Sequence, residues 1–102
     1  MTEHDIQDRI RMALSQYGVV LRLNVGQFYT NDGRIIKSGL PVGTSDLLFI
    51  GRGYIAFIEV KTPTGRVREE QKRFIARMRE LGHRAGIARS VEDALNIILQ
   101  ED

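Results

Sequence analysis

The sequence of 102 residues has no cysteine and only two histidines, His4 and His83. The absence of cysteine excludes structural disulfides and zinc sites with thiolate ligands. Two histidines so far apart in the sequence do not favour a histidine metal site. A metal ion bound by this chain would therefore need oxygen ligands.

Long apolar runs are also missing, because the chain has no stretch of about 18 apolar residues. The first five residues are acidic overall and do not form a basic leader before an apolar segment. We therefore expect a cytoplasmic protein that is not secreted and has no membrane span. With 42% apolar residues the chain can form one core, and its length predicts a single domain over residues 1–102.

The hydrophobic pattern predicts helices and strands arranged around one sheet. Thr2 can cap a first helix with Asp5 at its third position, and Gly18 ends that helix. The pattern then predicts strands over 19–25, 46–50, 54–61 and 84–89, and helices over 67–81 and 91–99. Between 26 and 44 the turn dipeptide Asp32-Gly33 is compatible with a β ribbon or with a mobile loop.

The predicted strand 54–61 is apolar on both faces, which is typical of a central strand covered by helices on each side. Two charged residues, Glu59 and Lys61, stand at its end. Side chains alternate between the faces of a strand, so Glu59 and Lys61 share one face.

The turn before this strand decides which residue lies opposite Glu59. If Arg52-Gly53 forms a two-residue turn, Gly51 pairs with Tyr54 and Asp46 falls opposite Glu59. A slip of one residue would turn Asp46 to the other face. Two carboxylates directly opposite each other repel, but a bound cation reverses the sign of that interaction.

The functional interpretation of Asp46 and Glu59 is therefore a shared Mg²⁺ or Mn²⁺ site, since these cations prefer carboxylate and carbonyl oxygens. The alternative is a pair of solvated strand ends. Lys61 could likewise do no more than neutralise Glu59, or it could orient a water and stabilise charge on a phosphate.

Two further polar residues stand on apolar helical stripes. Gln71 shares a stripe with Phe74 and Met78, so it must either satisfy main-chain groups or face the same polar site as Lys61. Glu3 continues the stripe of the first helix, where a carboxylate is also favoured by the helix dipole alone.

Net charge is only +2, but the charge is unevenly distributed. Residues 66–84 contain seven Lys or Arg and three Glu, a local excess of +4. Such a segment suits a phosphate backbone, although a solvated helix surface with Glu/Arg pairs would look similar. The candidate DNA-binding residues in it are Arg66, Arg68, Lys72 and Arg73.

The motifs occur in an order and spacing that resemble a known family over nearly the whole chain. They are Glu3 with Ile6-Gln7, then Gly43-Thr44-Ser45-Asp46-Leu47, Ile58-Glu59-Val60-Lys61 and Gln71. Together they resemble the VRR-NUC family of the PD-(D/E)xK nuclease superfamily, in its stand-alone phage and bacterial form. One departure is Ser45, which stands where the superfamily's classical motif has a proline.

The resemblance implies particular site residues. Asp46, Glu59 and Lys61 match the catalytic triad, and Gln71 matches a glutamine that would support Lys61 or the phosphate. We expect a Mg²⁺ or Mn²⁺ ion held by Asp46, Glu59 and the main-chain carbonyl of Val60. Glu3 matches a helix-one glutamate that can take part in metal binding.

For the fold, we expect a restriction-endonuclease-like α/β core, a mixed central sheet flanked by helices in the order αββαβ, with an extra C-terminal helix. Compact members are implied to be homodimers that cut branched DNA such as Holliday junctions, in a bacterial cell or a phage-infected host. Three alternatives compete: a nuclease without junction preference, a non-catalytic nucleic-acid-binding module and a metal-stabilised structural subunit. A pure binder has no use for Asp46 and Glu59, which repel phosphates.

Overall fold

The computed structural model describes residues 1–23, 27–37 and 39–100. Its elements follow the chain in this order: α1 Glu3–Leu14, β1 Val19–Arg22, β2 Gln27–Tyr29, β3 Ile35–Lys37, β4 Leu47–Ile50, β5 Ile55–Val60, α2 Glu69–Glu80, β6 Arg84–Ala88 and α3 Val91–Ile98. This is the mixed α/β architecture that the sequence predicts. No helix among the described residues is long and apolar enough to cross a membrane.

Helix boundaries follow local capping chemistry. The Thr2 hydroxyl accepts the Asp5 N–H while the Asp5 carboxylate accepts the Thr2 N–H, which is the predicted capping box. Ser90 begins α3 by accepting the Asp93 N–H.

The helices are shorter than the apolar pattern predicts at their C-terminal ends. Tyr17, Leu81 and Leu99 lie beyond the last helical turn and are about half exposed. Tyr17 lies three residues beyond the end of α1, whereas Leu81 and Leu99 directly follow α2 and α3 and still donate their N–H groups to the carbonyls of Arg77 and Leu95. The apolar pattern therefore places the last two ends to within one residue, the usual uncertainty of a helix end.

The segment that the pattern left undecided contains a two-stranded ribbon of β2 and β3. Its turn contains Gly33, whose φ of +85° only glycine adopts readily. The predicted first strand is shorter than expected, since β1 ends at Arg22. Positions 24–26 and 38 of these two predictions lie outside the described residues.

The main sheet has the strand order β1-β4-β5-β6, with β5 antiparallel to β4 and parallel to β6. The β4–β5 hairpin has the predicted register. Leu47 pairs with Ile58, and the Gly51 N–H donates to the Tyr54 carbonyl at 2.9 Å. Gly53 has a φ of +79° and Arg52 has no positive φ, which is the φ pattern of a type II turn with glycine at its third position.

The two faces of this sheet are covered differently. On one face Leu47, Phe49, Ala56, Ile58 and Val60 are fully buried, within a core that also includes residues of α1 and α3. On the other face α2 covers β5, where Phe57 meets Phe74 edge-to-face with ring centroids 5.2 Å apart. Over β1 and β4 this second face is open, and its side chains Val19, Leu21 and Ile50 are exposed.

The loop before β4 closely contacts the start of α2. A side chain at Gly43 would place its Cβ only 2.4 Å from the main-chain oxygen of Glu70, and the φ of Gly43 is +94°. A glycine is therefore required here for two independent reasons. The contact joins the approach to β4 to the first turn of α2, from which Gln71 projects.

We predict that Gly43→Ala destabilises the protein more than Gly53→Ala does. Both substitutions incur the cost of a positive φ, about 1 kcal/mol, but only Gly43 has main-chain atoms within 4 Å of the new Cβ. Urea denaturation of the two variants and the wild type measures the difference. Equal losses would show that the Gly43–Glu70 contact relaxes without cost.

Candidate metal centre

Asp46 lies immediately before β4, and its side chain reaches across to β5. Its Oδ2 accepts the main-chain N–H of Val60 at 2.9 Å, and its own carbonyl accepts the Leu23 N–H at 2.8 Å. These bonds fix both ends of the residue. The other carboxylate oxygen, Oδ1, accepts no hydrogen bond from the described residues.

Glu59 is the most deeply buried charged residue described, with 2% of its surface exposed. Its Oε2 accepts the side-chain N–H of Gln71 at 3.2 Å and lies 3.8 Å from the Lys61 ammonium. Its Oε1 has no hydrogen-bond partner among the described residues. A buried acceptor without a partner is costly, so this atom is expected to serve a ligand or a proton.

Gln71 has both of the roles that the sequence left open. Its Oε1 accepts the Arg68 N–H at 2.9 Å, which satisfies a free donor at the start of α2. Its Nε2 donates to Glu59. Because one end of the amide is fixed by the main chain, the other end holds Glu59 in one orientation.

Lys61 is also nearly buried, with 11% of its side chain exposed. Its N–H donates to the Ala88 carbonyl at 3.0 Å, continuing the β5–β6 ladder by one residue. The loop that follows is held by Arg89, whose Nη1 donates to the carbonyls of Thr62 at 2.6 Å and Gly65 at 2.8 Å. This role of Arg89 was not predicted from the sequence, because a single basic residue after a short strand does not indicate which carbonyls it will contact.

The electrostatics of the site centre on Glu59. Burial raises the pKa of Glu59 to about 8, and the neighbouring Asp46 charge acts in the same direction. Lys61 opposes this rise, and Glu3 adds to it. The side chains of Asp46 and Glu59 are within hydrogen-bonding reach of each other, so a protonated Glu59 can donate to the Asp46 carboxylate when no cation is bound.

Glu3 stands apart from this pair. It is exposed in the first turn of α1, and the described residues contain no group of three acidic, histidine or cysteine side chains that could hold a metal ion. Its charge nevertheless acts on Glu59. Its part in metal binding therefore stays a prediction.

Two buried polar atoms have no partner among the described residues and had no assigned role in the sequence analysis. They are Oε1 of Gln7, one turn after Glu3, and Oγ of Ser45, directly before Asp46. A glutamine beside Ile6 on an apolar stripe was the available signal for Gln7.

The donor set suits a hard cation. Asp46 and Glu59 each have one oxygen bound by a protein donor and a second oxygen without one, Oδ1 and Oε1 respectively. In metal sites, hydrogen bonds from neighbouring groups commonly orient one oxygen of a carboxylate, and the other oxygen binds the metal. With no thiolate in the chain, these oxygens fit Mg²⁺ or Mn²⁺.

The candidate DNA-binding residues Arg66, Arg68, Lys72 and Arg73 are all exposed around the start of α2, close in sequence to Lys61. Lys72 forms an ion pair with Glu69, with 3.3 Å between nitrogen and oxygen. The arginine side chains at 66, 68 and 73 form no ion pair with the described residues. Farther along the basic segment, Arg79 near the end of α2 and Arg84 on β6 each donate to a main-chain carbonyl.

Comparisons with known proteins agree with this architecture. The family model described as VRR-NUC domain matches residues 1–92. A solved structure titled "VRR_NUC domain" is similar over 100% of both chains, with a TM-score of 0.69 and 24% sequence identity. No curated protein matches the chain.

We predict that the stability of the metal-free protein falls as pH rises from about 4.5 to about 8, and that Glu59→Gln removes much of this fall. The folded protein keeps the Glu59 proton up to about pH 8, whereas an unfolded carboxyl loses it near 4.5. The folded state thus binds one more proton within that window, and each pH unit lowers the free energy of unfolding by up to about 1.4 kcal/mol.

Urea denaturation with a chelator at pH 5 and at pH 8 measures this dependence. Glu80→Gln is the matched control, because Glu80 is an exposed glutamate paired with Arg77. The assignment fails if Glu59→Gln and Glu80→Gln show the same pH dependence.

Proposed function

The chain belongs to the VRR-NUC family, and from this we propose that it is a Mg²⁺- or Mn²⁺-dependent endonuclease that hydrolyses phosphodiester bonds of DNA. The observation that carries the proposal is the pair Asp46 and Glu59, each with one oriented and one available oxygen, beside the ammonium of Lys61. The family supports a nuclease, and the donor set supports the metal.

The roles of the residues follow from their positions. Asp46, Glu59 and the Val60 carbonyl would hold the ion, which when bound polarises the phosphate and makes a bound water more acidic. Lys61 donates hydrogen bonds to the attacking water or to a phosphate oxygen and stabilises the negative charge that develops on the phosphate. Gln71 keeps Glu59 oriented through its bond to the Arg68 N–H. Glu3 is proposed to hold a second ion.

A non-catalytic DNA-binding module is the main alternative, since the basic residues around the start of α2 would serve it equally well. The buried carboxylate favours the enzyme. A DNA-binding module would gain nothing from a buried Glu59 oxygen that has no partner among the described residues, because such an atom lowers stability.

We further propose that the active form is a homodimer acting on branched DNA. Support comes from the open face of the main sheet, where Val19, Leu21 and Ile50 are 55%, 43% and 39% exposed. The ribbon also presents apolar side chains, Tyr29 and Ile35, on one of its faces. Exposed apolar surfaces of this kind mark interaction sites, and a two-fold axis lets each copy cover the other.

We predict metal-dependent cleavage that Glu59→Gln and Lys61→Met each reduce by at least about a hundredfold, with the fold and DNA binding retained, because both groups act on the transition state. Labelled linear, flap and four-way junction DNA, each with and without Mn²⁺, are the substrates. Branched forms are expected to be cut faster than linear duplex.

Glu80→Gln controls for the loss of one carboxylate away from the site. Full turnover by purified Glu59→Gln would remove the assignment of the metal centre. Equal cutting of linear and four-way DNA would leave a nuclease and remove the junction preference.

We predict that Leu21→Glu dissociates the dimer, because it places a charge in the middle of the open apolar face. Met12→Glu is the control, since Met12 is 75% exposed on α1, away from that face. Sedimentation at micromolar concentration measures the mass. A wild-type monomer, or a Leu21→Glu dimer, would contradict this interface.

A further inference from the structure

A polar cavity lies at the opposite end of β5 from the carboxylate pair. It has a volume of about 660 Å³, and its lining includes Gly53, Tyr54, Arg79, Gly82, His83 and Arg84. From Ile55 to Val60 the strand advances by roughly 17 Å, which separates this cavity from the candidate metal centre. None of the lining residues that the structure describes is acidic.

Both arginines in this cavity are held in place by neutral groups. The Arg84 guanidinium lies over the Tyr54 ring at 3.8 Å from its centroid and donates from Nη1 to the Ile98 carbonyl. Tyr54 donates its hydroxyl hydrogen to the same carbonyl at 2.8 Å. Arg79 donates from Nε to the Ala85 carbonyl at 2.8 Å.

These contacts leave most of the donors unused. A guanidinium has five N–H groups, and each arginine spends one of them on a carbonyl. Neither the Arg79 nor the Arg84 side chain forms an ion pair with a described residue. Arg77, which is on α2 like Arg79, does pair with Glu80 at 2.8 Å. His83 lines the same cavity, and its side chain forms no hydrogen bond within the described residues.

Two fixed guanidinium groups around one cavity favour an anion with several oxygens. Arginines that only capped carbonyls would not need to line a shared cavity free of described acidic residues. We propose that this cavity binds a phosphate group. The group can come from the backbone of bound DNA, which rests on the proposed function, or from free phosphate.

The distance agrees with a DNA backbone. Phosphates on one strand of a duplex are spaced about 3.4 Å apart along the axis. The roughly 17 Å length of β5 therefore corresponds to about five base pairs. A duplex placed at the carboxylate pair and running along the domain would reach the cavity after half a helical turn of about five base pairs, where the strand held at the carboxylates has turned away and the complementary strand faces the protein.

The test is a titration of ¹⁵N-labelled protein, free of divalent metal, followed by NMR. One arm adds inorganic phosphate against sodium chloride at matched ionic strength, and the other adds a 12-base-pair duplex. The reporters are the amides of Gly53, Gly82 and Ala85 at the cavity. We expect saturable shifts of these amides in both arms and none with chloride.

The variant Arg79→Gln should weaken the binding measured at these amides by about tenfold, the usual effect of losing one charged hydrogen bond. Arg77→Gln is the matched control, because it removes the same charge two residues away and outside the cavity. If Arg79→Gln unfolds, His83→Glu introduces a carboxylate at an exposed position and should have the same effect.

Saturable shifts of the cavity amides in both arms would support a phosphate site that bound DNA can reach. Shifts with phosphate alone would identify a site for free phosphate and overturn the DNA path. No saturable shift in either arm, or equal loss in Arg77→Gln and Arg79→Gln, would overturn the site. Because the readout is binding at the cavity, a protein that fails to cleave DNA leaves the test intact.

Discussion

The burial of one carboxyl group at the end of a central strand is the constraint that organises this domain. Glu59 is 2% exposed within β5, next to the fully buried Val60. Such a group must either be neutral or have specific partners. Its partners come from three parts of the chain. Asp46 lies just before β4, Gln71 is in α2 and Lys61 directly follows β5. The packing of the domain and the chemistry of the site therefore depend on the same group.

This arrangement creates a conflict that a cation can resolve. Without metal, burial and the adjacent Asp46 raise the pKa of Glu59 to about 8, which favours its protonated form at neutral pH. A divalent ion would replace that proton and would be held by the Glu59 oxygen that has no partner among the described residues. The amide of Gln71 is neutral, so it can donate to Glu59 both in the metal-free protein and with a cation bound. A glutamate at this position would instead add a third carboxylate to the site.

Much of the site follows from the sequence because strand geometry is so restrictive. Two-residue alternation puts Glu59 and Lys61 on one face, and the Arg52-Gly53 turn sets the register that brings Asp46 beside them. Gln71 could be placed on the buried stripe, but its two simultaneous bonds depend on where α2 begins. The Arg89 contacts and the Arg79–Arg84 cavity join segments distant in sequence, which local patterns do not encode.

The three-point contact of Arg89 has a consequence for how this chain tolerates insertions and deletions. Surface loops usually accept changes of length at little cost. The segment from Thr62 to Gly65 should not, because the carbonyls of Thr62, Pro63 and Gly65 all converge on Nη1 of Arg89, at 2.6, 3.3 and 2.8 Å. The turn of the ribbon around Gly33 differs, because the side-chain hydrogen bonds and the ion pair found there among the described residues join only Thr30, Asp32 and Arg34, all within the turn itself. Relatives that differ in length are therefore expected to differ in the ribbon and to keep the spacing between Lys61 and α2.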